Sequence, residues 1–110
     1  MNAIDWKVRA AKIDLPSQAY IDGAFVDAAS GTTFASINPA NGQTLQHIAA
    51  CDQEDVNRTV IAARKAFQSR LWSGQKPQYR RTILLQLAEA METAKDDLAL
   101  LECLGSGLIV

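Results

Sequence analysis

The sequence predicts an α+β fold: a short N-terminal helix, a small antiparallel β-hairpin unit, then an antiparallel helix pair. Three observations carry that expectation. Asp22-Gly23 stands between the apolar runs Tyr20-Ile21 and Ala24-Phe25-Val26, a strong two-residue hairpin signal. Pro39 and Asn41-Gly42 separate two segments of strand composition; proline fixes φ at the corner, and Asn-Gly tolerates positive φ. From residue 53 onward the apolar residues recur at helical spacing.

Taken in order, residues from about Asn2 to Lys12 read as one short helix. Ile4, Val8 and Ala11 share a face, Trp6 is the only large anchor, and Pro16 lies beyond the end. The Tyr20–Val26 hairpin follows. A looser turn near Ala29 to Gly31 leads to a strand from Thr33 to Ile37. The return strand, Thr44 to Ala50, alternates only loosely. The β portion is thus three or four short strands in a small antiparallel unit.

Asp52 occupies an N-cap position, and Asp55 three residues on makes an acidic variant of the capping box. Val56, Val60, Ala63 and Phe67 then form one helical stripe. This helix should fade near Arg70, with Ser73-Gly74 as its breaker. Lys76-Pro77 opens the next helix, whose face is Ile83, Leu84, Leu87, Met91 and Ala94. Lys95 to Asp97 marks a possible break, Leu98, Leu101 and Leu104 continue the stripe, and Gly105 to Gly107 ends it. The expected organisation is an N-terminal helix and linker over 1–19, an antiparallel β segment over 20–51 and a helical segment over 52–110, together one incomplete domain.

Composition narrows the function. The chain has 110 residues, 48% of them apolar, enough for a core. A formal net charge of −1 gives no global drive toward nucleic acid or anionic membrane. No apolar run reaches the ~18 residues of a membrane span, and the first residues lack the pattern of a secretory signal. Cys51 and Cys103 lie far apart without metal or redox spacing, which fits reduced thiols and a cytoplasmic location. The Asn57 sequon falls inside a helix and is discounted.

Each candidate for chemistry has a plainer explanation. Cys51 precedes a helix start, a place where a thiol can be activated. His47 is four residues back, but on an extended strand that is about 13 Å, too far for a Cys–His hydrogen bond. A partly buried structural cysteine is the expectation for Cys51, and simple packing for Cys103. His47, the only histidine, lacks companions at ligand spacing. Between Arg64 and Arg81 lie six cations and no acid, with Trp72 and Tyr79 interleaved. That run has the look of a single-strand nucleic-acid surface. Dipole complementation at a helix C-terminus, with Trp72 as an inward anchor, is the stronger account, and no nucleic-acid partner is expected. The acids at Asp52, Glu54, Asp55, Asp96 and Asp97 sit where helix starts favour negative charge. No Gly-rich phosphate loop, hydrolase elbow or P-loop is present.

The order of these pieces resembles the N-terminal segment of the NAD(P)-dependent aldehyde dehydrogenase superfamily. The matching stretches are FASINPANG from Phe34 to Gly42, Glu54-Asp55-Val56, and AARKAF from Ala62 to Phe67. Trp72, Arg80, the Leu84 to Glu92 helix and Leu100 to Glu102 continue the match. It runs from about Tyr20 to Leu104. Trp6, the Tyr20 to Gly23 start and the Leu100 to Glu102 helix look most like the bacterial branch oxidising amino-aldehydes from polyamine breakdown, such as gamma-glutamyl-gamma-aminobutyraldehyde dehydrogenase.

The resemblance implies a parent reaction in which an aldehyde is oxidised to a carboxylate with NAD or NADP. In the family the catalytic cysteine, the glutamate base, the oxyanion groups and the cofactor-binding residues lie downstream of this region. It therefore assigns no catalytic, cofactor-binding or metal-ligating residue here, and no cofactor bound by this chain. Many members also hold a monovalent cation through backbone carbonyls before Asn-Pro and a later aspartate. The matching positions here are Ser36, Ile37 and Gly105, so the side-chain ligand is missing and no ion is expected. Past Gly107 the match is lost, which points to a frameshift, a premature stop or a gene-model edge.

The chain is thus expected to be an inert N-terminal fragment. The face of Ile83, Leu84, Leu87 and Met91 has little to cover it, so its partner is the rest of a subunit or another copy. The rival reading is a stand-alone helical interaction module derived from such an enzyme.

Overall fold

The computed structural model describes residues 3–107. Eight elements follow in order: α1 (Trp6–Lys12), β1 (Ala19–Ile21), β2 (Ala24–Val26), β3 (Thr33–Ile37), β4 (Thr44–Ala49), α2 (Gln53–Ser69), α3 (Pro77–Thr93) and α4 (Lys95–Ser106). The α+β class is as the sequence predicts. The expected helix start at Asn2 and the chain's apolar end, Leu108 to Val110, lie outside the described residues.

Helix α1 is shorter than its apolar spacing suggests because Asp5 caps it. One carboxylate oxygen accepts from the backbone N–H groups of Lys7 and Val8, both at 3.1 Å. The β1–β2 turn puts both Asp22 (φ 53°) and Gly23 (φ 80°) in the left-handed region, the two-residue geometry that matches strand twist. Tyr20 and Phe25 face each other across it edge-on, ring centres 5.1 Å apart.

The second hairpin pairs β3 with β4. Its turn is closed by Asn38 N–H to Gln43 O and Gly42 N–H to Asn38 O, both 2.8 Å, with Gly42 alone at positive φ. Ser36 faces Gln46 while Ile37 faces Thr44, so Leu45 is the extra residue of a bulge. That bulge explains the loose alternation of β4. The β segment is two separate two-stranded sheets rather than one unit. The linker docks on the second, through Ala49 N–H to Ser17 O at 2.8 Å and the Gln46 amide to Leu15 O.

Helix α2 ends at Ser69 with Arg70 as its C-cap, where the sequence expects it to fade. Arg70 adopts φ 57° and its carbonyl accepts from Gly74 N–H at 2.8 Å. A Cβ on Gly74 would lie 2.7 Å from that carbonyl oxygen, so glycine is needed for the close approach. The possible break after Met91 is real: α3 ends at Thr93 and α4 begins at Lys95, giving three helices in the helical segment. Gly107 ends α4 at φ 77°, close to the Pro39 turn, where an added Cβ would sit 3.1 Å from the proline Cγ.

Arg9 ties α1 to α4. Its Nε and Nη2 both donate to one oxygen of Asp97, at 2.8 and 2.7 Å, with Asp96 at 3.8 Å. All three side chains are more than a third exposed, so water and salt screen the pair. Arg9→Ala should cost at most about 1 kcal/mol, less at high salt, by urea melts at two ionic strengths.

Burial is sparse. Ala28 and Leu100 are the buried apolar residues and Asp55 the buried polar one among the described residues. Leu84, Leu87 and Met91 are each more than half exposed, and so are Val56, Val60 and Phe67. Trp72 is 43% exposed, so it is only partly covered and not the inward anchor expected. The radius of gyration is 17.7 Å, against about 13 Å for a compact domain of this length. The accessible surface is 8849 Å², where a monomer of this mass leaves roughly 5,900 Å². About 2,900 Å² more surface than a self-contained domain is therefore open.

Candidate functional site

Three places carry chemistry-bearing residues: the β4–α2 junction, the β3–β4 turn beside the end of α4, and the α2–α3 corner.

At the β4–α2 junction the organising residue is Asp55. It is 2% exposed. One oxygen accepts from Ala29 N–H at 2.9 Å and the other from Asp52 N–H at 3.1 Å, while Asp52 accepts from Glu54 N–H at 3.0 Å. The reciprocal capping box is complete. The backbone N–H groups of Asp52 and Ala29 lower the carboxyl pKa, outweighing the opposing effect of burial. The sequence foresees the cap but not the reach to Ala29. That bond spans 26 residues, and no local pattern announces it.

Cys51 lies beside this carboxylate and is exposed, not partly buried as expected. It borders a shallow depression of about 210 Å³ with Tyr20, Val56 and Val60. Desolvation of the thiolate, then the charges of Asp55 and Asp52, raise its pKa. These effects disfavour the thiolate that a nucleophile needs. His47 is on β4 opposite Ala35 and borders a different depression, with Asp27 and Ala28. The two are not brought together. Cys103 is half-buried on α4.

Beside the end of α4, Pro39 approaches Gly107, so the fold brings the Ser36–Ile37 strand end near the Gly105–Gly107 cap. Gly105 offers no side-chain donor, and space within 4 Å of its would-be Cβ is open. Among the described residues no three His, Cys, Asp or Glu side chains converge as a metal site. Nor do these residues fit a dinucleotide: the N-terminus of α2 is filled by Asp52 and Asp55, which would repel a pyrophosphate, and no glycine-rich turn precedes α3.

At the α2–α3 corner, Lys76 caps α3 without a side-chain hydrogen bond and Pro77 follows. Trp72, Pro77, Arg80, Arg81, Leu84 and Leu85 line one continuous surface. The Nε of Arg80 is closed to water and has no acceptor among the described residues. Arg70, the C-cap of α2, is the one cation of this run at that helix's C-terminal end; Arg64 and Lys65 lie before its last turn.

Residues 25–110 match the aldehyde dehydrogenase family, so the match runs on past Gly107, where the sequence reading expects it to be lost. The chain belongs to that family. It is 50% identical over 98 residues to aminoacetaldehyde dehydrogenase of Pseudomonas aeruginosa, covering 89% of this chain and 20% of that protein. Its fold superposes on the crystal structure of gamma-glutamyl-gamma-aminobutyraldehyde dehydrogenase from Burkholderia cenocepacia with a TM-score of 0.88 and 42% identity. The superposition covers 91% of this chain and 20% of that one. An indole-3-acetaldehyde dehydrogenase of P. syringae, solved with NAD+, matches with a TM-score of 0.87 and 40% identity over the same shares. The chain spans about a fifth of the length of these aldehyde dehydrogenases. Among the described residues no helix is long and apolar enough to cross a membrane.

Proposed function

We propose that this chain is the N-terminal scaffold of an NAD(P)-dependent oxidoreductase that converts an amino-aldehyde to its carboxylate. The observation that carries the reading is the superposition of nine-tenths of the chain on one-fifth of an aldehyde dehydrogenase. Its role there is mechanical. Asp55 fixes the start of α2 to the Ala28–Ala29 loop, the Pro39 turn seats the end of α4, and the exposed faces of α2 and α3 offer apolar surface to later residues of a subunit. On this reading the three segments are one incomplete domain, the reaction is cytoplasmic, and the cofactor, NAD or NADP, is held by residues beyond this chain. The amino-aldehyde assignment, and with it a place in polyamine degradation, is supported by the aminoacetaldehyde and gamma-glutamyl-gamma-aminobutyraldehyde relatives.

On this reading the 110-residue chain is inert by itself, in keeping with surroundings of Cys51 that disfavour a thiolate. The purified chain, given an amino-aldehyde with NAD+ or NADP+, should form no reduced cofactor above the protein-free rate by absorbance. Turnover that scales with chain concentration and is abolished by Cys51→Ser would overturn the reading.

A further inference from the structure

Four asparagines occur in the chain, and Asn41 is the one followed by glycine. That pair carries a latent reaction. The backbone nitrogen of Gly42, once it gives up its proton, can attack the side-chain carbonyl carbon of Asn41. A C–N bond forms, the bond from that carbon to the carboxamide nitrogen breaks, and ammonia leaves with the proton. A succinimide ring remains, and water opens it to aspartate or isoaspartate. With no Cβ on Gly42, little shields the attacking nitrogen. Asn38 precedes Pro39, which has no N–H to attack with. Asn57 lies within α2, where the next N–H belongs to the helical ladder, and Asn2 lies outside the described residues.

The β3–β4 turn holds both reacting groups. Gly42 N–H donates to Asn38 O at 2.8 Å, which keeps the proton on the nitrogen that would attack. The Asn41 side-chain oxygen accepts from Gln43 N–H at 2.9 Å, which holds that side chain in one orientation. Asn38 braces the turn twice more: its N–H donates to Gln43 O at 2.8 Å, and its side-chain oxygen accepts from Ala40 N–H at 2.9 Å. Ring closure needs the Gly42 bond broken first, so in the folded chain it runs through the open fraction of the turn. All of these bonds lie within residues 38–43, so the gate does not depend on what covers the rest of the chain.

We propose that Asn41 is a deamidation site gated by its own hairpin: the closed β3–β4 turn silences it, and opening of the turn releases it. The product records the opening permanently. Isoaspartate adds a methylene to the backbone inside the turn, so the closure between Asn38 and Gln43 no longer spans the same number of atoms. The Pro39 turn against Gly107, at the end of α4, is loosened with it. This goes beyond the family reading, and neither depends on the other.

Peptide mapping by mass spectrometry tests it, with the 110-residue chain and a peptide from Ser36 to Leu45 incubated side by side in mildly alkaline buffer. Exchange of ammonia for water changes the mass at Asn41, whereas Asp22-Gly23 can form the same ring and reopen with no change in mass. The folded chain should lose Asn41 about ten-fold or more slowly than the peptide, since two bonds must open and each withholds a factor of a few. Urea should bring the chain to the rate of the peptide. Asn38→Ala removes the acceptor for Ala40 N–H, and should speed the loss in the chain but not in a peptide carrying the same change. Hydrogen exchange of Gly42 N–H measures the open fraction by a second route and should account for the same slowing. A folded chain that loses Asn41 as fast as the peptide, a rate in the chain indifferent to Asn38→Ala, or an unprotected Gly42 N–H overturns the proposal.

Discussion

Asp55→Asn should lower the melting midpoint by several degrees or more, the largest loss expected from any single polar substitution in the chain. The native carboxylate accepts from two backbone N–H groups, at Ala29 and Asp52. Asparagine keeps one acceptor oxygen and turns an amide N–H₂ against the second donor. That donor is then left unpaired in a closed site, the costly side of hydrogen-bond exchange. Two features fail together: the capping box of α2 and the anchor of the Ala28–Ala29 loop. Thermal melts followed by circular dichroism check the size of the loss, and an unchanged midpoint would mean the anchor contributes nothing.

The same group sets an acid response. Its folded pKa is depressed, so the unfolded chain takes up the proton first. Its stabilisation is complete above the ordinary carboxylate range near 4, and is lost as pH falls through the folded value below it. The asparagine variant should show a flatter dependence of melting midpoint on pH in that window.

How far the sequence announced this arrangement depends on the range of each interaction. The Asp22-Gly23 turn, the Asp52 cap, Pro77 at the first turn of α3 and Gly107 at the end of α4 are set by neighbours a few residues away, and each is where the sequence puts it. The Leu45 bulge and the Ala29 anchor were not legible, because they depend on partners brought together only by the fold. Trp72 was misjudged for a related reason. An aromatic residue near a helix end usually finds cover, but here the described residues cover it only in part. The family was legible from short motifs in fixed order, whereas Cys51 and His47 attract notice only by residue type and are not brought together.

Leu100→Ala should destabilise the isolated chain by about 2–5 kcal/mol, while Leu84→Ala should stay within about 0.5 kcal/mol. Leu100 is 5% exposed, so its truncation leaves a cavity; Leu84 is 55% exposed, so its truncation leaves water where water already was. Since a small domain's whole margin is about 5–15 kcal/mol, the first change is enough to abolish a cooperative transition and the second is near silent. The pair becomes a gauge of what covers α3. Once a partner closes over the helix, Leu84 acquires a buried environment and its truncation should cost as much as that of Leu100. Measuring both variants by urea unfolding, across a concentration series and then with the remaining residues of a family subunit added, separates the two partners. A Leu84→Ala cost that grows with chain concentration belongs to self-pairing. One that appears only with the added segment belongs to a subunit. A cost already large in the dilute, isolated chain would mean that the open face drawn here is closed in solution.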